Sequence, residues 1–177
     1  MKTALKIGFY SGIAILLYTY GVFAYFGDFS NLSYDQISTI DFSGYLRYII
    51  VLAAVYIGMR IAVKTAIAVT FGALFFAGIQ VVLVIAIIVG LMEYGYIQFW
   101  NPGFYDQYGA IMLQHLKDSG VAQDVIARAQ DQLASLEWMK SAVTTGIFYF
   151  VETFIVGTIG ALLVAWFFKP KAKKAQA

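Results

Sequence analysis

The chain has no cysteine, two prolines and a single histidine, and charged residues fill only 12% of its 177 positions. Without cysteine there are no disulfides and no thiolate metal sites. One histidine, His115, cannot by itself build the multi-histidine sites that hold transition metals. Soluble domains carry roughly 25% charged residues. Scarce charge, 61% hydrophobic residues and a mean hydropathy of +0.76 therefore place the chain among integral membrane proteins. The net charge is only +2, and no basic face is interleaved with aromatics, so nucleic acid is not an expected partner. Also missing are a glycine-rich phosphate loop, a His-Glu metalloprotease motif, a nucleophile–base pair and paired acids at a useful spacing. The expectation is a protein that is not an enzyme, with no catalytic residues, no cofactor and no metal.

What the chain does have is long apolar runs. Four are expected to span a bilayer, at about 6–26, 45–63, 65–92 and 141–168, within a single membrane domain over 1–177. An alternative reading extends the third run to Trp100. Lys2 and Lys6 precede the first run, which is long for a signal peptide and is followed by no small-residue cleavage site, so an uncleaved span is expected. Between the first two runs, Gly27–Ser43 reads as a polar connection with Asp28, Asp35 and Asp41. It includes the triplet Asn31-Leu32-Ser33, which fits a glycosylation pattern by chance more readily than by use. Only a short turn separates the second run from the third.

The one sizeable polar segment is 101–140. Asn101-Pro102 suits a helix start, with Asn as cap and Pro in the first turn. Tyr105, Tyr108, Met112 and Leu116 then recur at helical spacing, and Gly120 is placed to end that helix. A second helix carries Val125, Ile126, Ala129, Leu133 and Leu136 on one side and Gln123, Asp124, Arg128, Asp131 and Gln132 on the other. Two amphipathic helices joined at Ser119-Gly120 make a hairpin. The expected fold is thus all-α: four transmembrane helices with an extracytoplasmic helical hairpin between spans three and four.

Small residues recur at fourfold spacing, which lets membrane helices approach closely. Gly8 and Gly12 form one such pair. Ala54, Gly58, Ala62 and Ala66 form a second stripe, and Thr153, Gly157, Ala161 and Ala165 a third. Tyrosines near the ends of the runs fit interfacial belts. Orientation follows from the basic residues. With both termini inside, Lys2, Lys6, Arg60, Lys64, Lys169, Lys171, Lys173 and Lys174 lie inside, and Arg47, Lys117, Arg128 and Lys140 outside. The expected location is the bacterial inner membrane, multi-pass, with N and C termini in.

One acid, Glu152, lies within the last run, 11 positions beyond Ser141. At ~1.5 Å per residue that is about 16 Å, near the middle of a bilayer, where an ionisable group is a candidate site. Gln80 is the one strongly polar centre of the third run and is expected at the same depth. The nearest bases, Arg47, Arg60 and Lys64, are assigned to the membrane surfaces. The expectation is a protonated Glu152 bonded to Gln80 or to a hydroxyl, an intramembrane polar site whose alternative role is proton or cation binding.

The runs NPGFYDQYGAIMLQHLKDSGVAQDVI and FYFVETFIVGTIGALLVAWFFKPK resemble a family of bacterial four-span membrane proteins, the domain of unknown function 4199 family. The resemblance runs from Ala4 to Lys171. It is carried most specifically by Asn101-Pro102, Phe104 to Tyr108, Ser119-Gly120, Glu152 and Gly157. Family members usually have Asn-Pro before the last span and Glu-Pro-x-Pro-Val-Gly within it. Here these read MKSAV and ETFIVG, so Glu152, Val156 and Gly157 match and the prolines do not. The resemblance implies four spans with a helical insert before the last, and no activity.

Two functions are compatible with these features. One is a non-catalytic accessory or scaffold subunit that contacts lipids and another membrane protein, or itself, through the small-residue faces and the outer hairpin. The other is a small oligomeric transporter or channel that uses Glu152 as a proton or cation site.

Overall fold

The structure, a computed structural model, describes residues 2–27, 32–65 and 70–168. Asp28, Asn31, Ala66 and the basic tail Lys169 to Lys174 lie outside the described residues. Every regular element described is helical. In chain order these are α1 (Lys2–Phe26), α2 (Tyr34–Gly44), α3 (Leu46–Thr65), α4 (Phe71–Gly95), α5 (Phe104–Asp118), α6 (Gln123–Ser135) and α7 (Ala142–Phe167). A π-helical turn, Tyr96–Trp100, extends α4, and a 3-10 turn, Glu137–Lys140, precedes α7. Four stretches are long and apolar enough to cross a membrane: Lys2–Phe26, Tyr34–Lys64, Phe71–Trp100 and Ala142–Phe167. That pattern is the signature of a multi-pass membrane protein.

Three local readings are corrected. The segment expected as a polar connection before the second span contains α2. Ser33 caps it: its Oγ accepts from Gln36 N–H, and Gln36 Oε1 accepts from Ser33 N–H at 2.9 Å, a reciprocal capping box. Ile37 and Ile40 then turn inward together. The third membrane helix starts at Phe71 rather than at Thr65, with Thr70 Oγ1 accepting from Ala73 N–H at 3.2 Å. At the start of α5 the capping position is Gly103, not Asn101. The π turn closes through Asn101 N–H to the Tyr96 carbonyl, and the Asn101 side chain donates to Gln107 Oε1 at 3.1 Å. Asn101 therefore finishes the preceding turn, two positions too early to cap α5. The C-terminal reading of α5 holds. Gly120 has φ +65°, a left-handed conformation that glycine adopts without strain, directly after Ser119.

By internal contacts the chain forms two compact units. The first comprises Met1–Leu16, Leu46–Val89 and Phe150–Ala177. Its centre is α4, the most apolar of the four spans, with a mean hydropathy of 2.8. Val81, Val82, Ile85, Ala86 and Val89 are fully buried there. Glycines bring the other helices onto this face. A Cβ on Gly8 would lie 2.8 Å from the Val81 carbonyl oxygen, and one on Gly12 2.5 Å from Ile88 Cδ1. One on Gly58 would lie 2.8 Å from Val81 Cγ2, and one on Gly157 2.5 Å from Val82 Cγ1. The notch at Gly78 on α4 receives Met59 of α3 and Ala161 of α7. Phe9, Ile49, Ile155, Ile159 and Leu163 are exposed around the outside, as side chains that face hydrocarbon should be.

The second unit comprises Leu17–Tyr45 and Gly90–Tyr149. Leu32, Ile37, Ile40, Tyr96, Ile97 and Ala142 form its core. Aromatic rings fill much of the rest. Phe23 lies 4.3 Å from Tyr96, and Tyr20 stacks on Trp100 at 5.2 Å, between ring centroids. Helices α5 and α6 fold back on each other, so that a Cβ on Gly109 would stand 3.5 Å from Leu133 Cδ1. Tyr108 Oη donates to Asp41 Oδ2 at 3.0 Å, and the His115 ring stacks on Tyr34 at 3.7 Å, which tie α5 to α2. The hydroxyls of Thr144 and Thr145 donate to the carbonyls of Trp138 and Met139, so the 3-10 turn is fastened to the first turn of α7.

The glycine notches make a direct prediction. Val82 is β-branched and stiff, so Gly157→Ala forces either a rotamer or a backbone shift, at about 1–3 kcal/mol. Nothing lies within 4 Å of a Cβ added at Gly21. Thermal unfolding in detergent should show a clear loss of stability for Gly157→Ala and none for Gly21→Ala.

Candidate functional site

Glu152 stands in the first unit with Arg47 as its partner. Arg47 Nη2 donates to Glu152 Oε2 at 2.9 Å and to Tyr48 Oη at 2.9 Å. The guanidinium carbon lies 4.9 Å from the centroid of the Tyr48 ring. The Arg47 side chain is 12% exposed and that of Glu152 31%. A guanidinium stays cationic at any working pH, and its charge is met here by the Glu152 side chain.

The expected partner was Gln80 or a hydroxyl: Arg47 takes the place of Gln80, and the Tyr48 hydroxyl lies within hydrogen-bonding reach of Glu152 as well. The error was the end from which depth was counted. Arg47 precedes Lys64 by 17 residues, and Glu152 precedes Lys169 by 17 residues. At ~1.5 Å per residue both lie about 25 Å from those basic ends, hence at one level. Gln80 is 9 residues from Phe71, where α4 begins after its short link from α3, or about 14 Å along. It is half-buried at a different level.

The small residues expected at helix contacts lie as follows. Gly8, Gly12, Gly58 and Gly157 face α4 side chains, while Ala54, Thr153, Ala161 and Ala165 are buried and Ala62 is half-buried. At these four glycines the notch is filled from within the chain. Thr153 and Thr158 have buried hydroxyl oxygens with no hydrogen-bond partner among the described residues.

A second acid lies among the tyrosines that fit an interfacial belt. Glu93, beside Tyr94, is buried at 8% exposure in the second unit, one residue from the buried Met92. The signal was present. Ala86, Val89, Glu93 and Tyr96 follow one another at helical spacing, so Glu93 continues the buried stripe of α4. Tyr20 Oη donates to the Met92 carbonyl at 3.2 Å beside it. In the same unit, burial and the negative charge of Asp41 push the Tyr108 hydroxyl up to about 12, so it remains a hydrogen-bond donor throughout the working pH range. His115 is taken up in its stack with Tyr34. No group of three His, Asp or Glu residues that could hold a metal ion occurs among the described residues.

The sequence model of the family described as "Protein of unknown function (DUF4199)" matches residues 6–170, almost the whole chain. The chain belongs to that family. No curated protein and no solved structure matches it. Within the family's four-helix membrane architecture, the polar pair Arg47–Glu152 is the element of this chain that most requires an explanation.

Removing one partner of a buried ion pair costs about 3–5 kcal/mol, because the other charge is left uncompensated. The partial exposure of Glu152 reduces this, and we expect about 1–3 kcal/mol for Glu152→Gln or Arg47→Met alone. The combined variant Arg47→Met/Glu152→Leu should recover most of the loss. A double-mutant cycle on thermal stability checks the pairing, and strictly additive losses would count against it.

Proposed function

We propose that the protein is a non-catalytic subunit of the bacterial inner membrane that acts as an accessory or scaffold for another membrane protein. In this reading both termini are cytoplasmic and α5–α6 is an extracytoplasmic hairpin, in line with the basic residues at the cytoplasmic ends. The observation that carries the reading is the preassembly of α5 and α6. Their inner faces are packed, Tyr108 and His115 tie them to α2, and Lys140 bridges Asp106 and Glu137. What they present is the polar face with Gln123, Asp124, Arg128 and Asp131, all exposed. A rigid, polar helical pair on a membrane anchor suits docking. The docking surface is accordingly this hairpin together with lipid-facing side chains, since the glycine faces are filled. In the same reading, Arg47–Glu152 is a clamp between α3 and α7. The small oligomeric transporter, with Glu152 as its proton site, would have to break that clamp on each cycle.

Two measurements test this. A cysteine introduced at Gln123 should label with an impermeant reagent in intact cells, and one at Thr70 should not. Copurification from native membranes should yield a different protein at fixed stoichiometry, lost when Asp124 and Arg128 are both replaced by Ala. A homo-oligomer alone, with proton flux in liposomes abolished by Glu152→Gln, would favour the transporter instead.

A further inference from the structure

The second unit contains a cleft of about 900 Å³. Its wall carries six rings, Tyr45, Phe104, Tyr105, Tyr108, Phe148 and Tyr149. They are set at steep angles to one another: Phe104 meets Tyr105 at 81° and 5.2 Å, and Phe148 meets Tyr149 at 80° and 5.4 Å. Ring faces therefore point in several directions, as in the walls of an aromatic cage. The floor is apolar, with Gly109, Leu133 and the buried Met139.

Charge around the cleft is one-sided. Asp41, Asp106 and Glu137 line it with Lys140 as the one base. Lys140 Nζ lies 2.8 Å from both Asp106 Oδ1 and Glu137 Oε1, so a single ammonium is shared by two carboxylates. Asp41 accepts from Tyr108 Oη at 3.0 Å and forms no ion pair among the described residues. An anion would meet a net negative rim. A bare metal ion would find no cluster of acids at ligand distance. The volume lies in the upper part of the range for organic ligands, ~300–1,000 Å³.

We infer that this cleft binds a small organic cation with an alkylated ammonium group, held by the faces of Tyr45, Tyr108 and Tyr149 and balanced by Asp41. The ring quadrupoles attract the cation, the methyl groups meet the apolar floor, and the carboxylate supplies the counter-charge. The neutral hydroxyl of Tyr108 orients Asp41 without itself competing as a charge. This inference does not depend on the scaffold reading, since either a scaffold or a transporter would use such a site.

The test is calorimetry on the full chain in detergent with choline and with 3,3-dimethylbutan-1-ol, its uncharged isostere. Choline should bind at least about tenfold more tightly than the alcohol, the ratio expected of cation–π and ionic contacts together. Asp41→Asn and Tyr108→Ala should each weaken choline several-fold, while Tyr108→Phe keeps the ring and most of the affinity. Tyr45→Ala, at an exposed ring of the wall, is a second variant should Asp41→Asn fail to fold, and it too should weaken choline. Competition by dihexanoylphosphatidylcholine below its micelle concentration would assign the cation to a lipid headgroup, and failure to compete would assign it to a free solute. Equal binding of choline and the alcohol, or full choline affinity in folded Asp41→Asn or Tyr45→Ala, would overturn the inference.

Discussion

The close approach of three helices to α4 is the constraint on which the first unit depends. In hydrocarbon the apolar side chains gain nothing by leaving lipid for protein, so association rests on fit. Gly8, Gly12, Gly58 and Gly157 remove the Cβ atoms that would hold the backbones apart, and Val81, Val82 and Ile88 fill the notches. Gly78 reverses the arrangement, with the notch on α4 and the knobs Met59 and Ala161 on its neighbours. Interlocking in both senses fixes the register along the helices as well as the spacing between them.

That register sets the polar chemistry. Met59 and Ala161 both meet Gly78; 12 residues back along α3 and 9 back along α7, Arg47 meets Glu152, its long side chain spanning the difference. The pair is costly to place in a low-dielectric medium and is stabilising only when complete. Its net contribution to stability is therefore modest, while its contribution to alignment is large: a one-residue slip of α7 would separate the charges. Tyr48 adds a hydroxyl and a ring face to the guanidinium, completing a three-residue cluster on two helices.

Much of this was legible in the sequence, and the failures have specific causes. Span number, the two helices after Trp100 and the turn at Gly120 follow from run length, spacing and glycine chemistry. Helix α2 was hidden because Asp35, Ser38 and Thr39 read as loop, although the box from Ser33 to Gln36 announces a helix start. The small-residue stripes showed where helices touch but could not say which helix fills them, since a glycine notch carries no address. For Glu152, the pairing with Gln80 was drawn from a depth measured at Ser141, at one end of the last span. Counting from the lysines that mark the opposite end gives equal offsets for Arg47 and Glu152. Glu93 was lost for the opposite reason, because a run of nearby tyrosines suggested an interface where the helical period continues the core.

The packing of α7 on α4 can be tested with one cross-link, made simple by the absence of cysteine in the chain. A Cβ at position 78 would lie 3.0 Å from the Cβ of Ala161, close to the ~3.5–4.5 Å of a disulfide, and the neighbouring Met59 has a flexible end that can move aside. The variant Gly78→Cys/Ala161→Cys, oxidised in native membranes, should give a rapid cross-link within one chain, seen as a faster-migrating monomer. The account is contradicted if the cysteines stay reduced, or if they join only different chains into dimers.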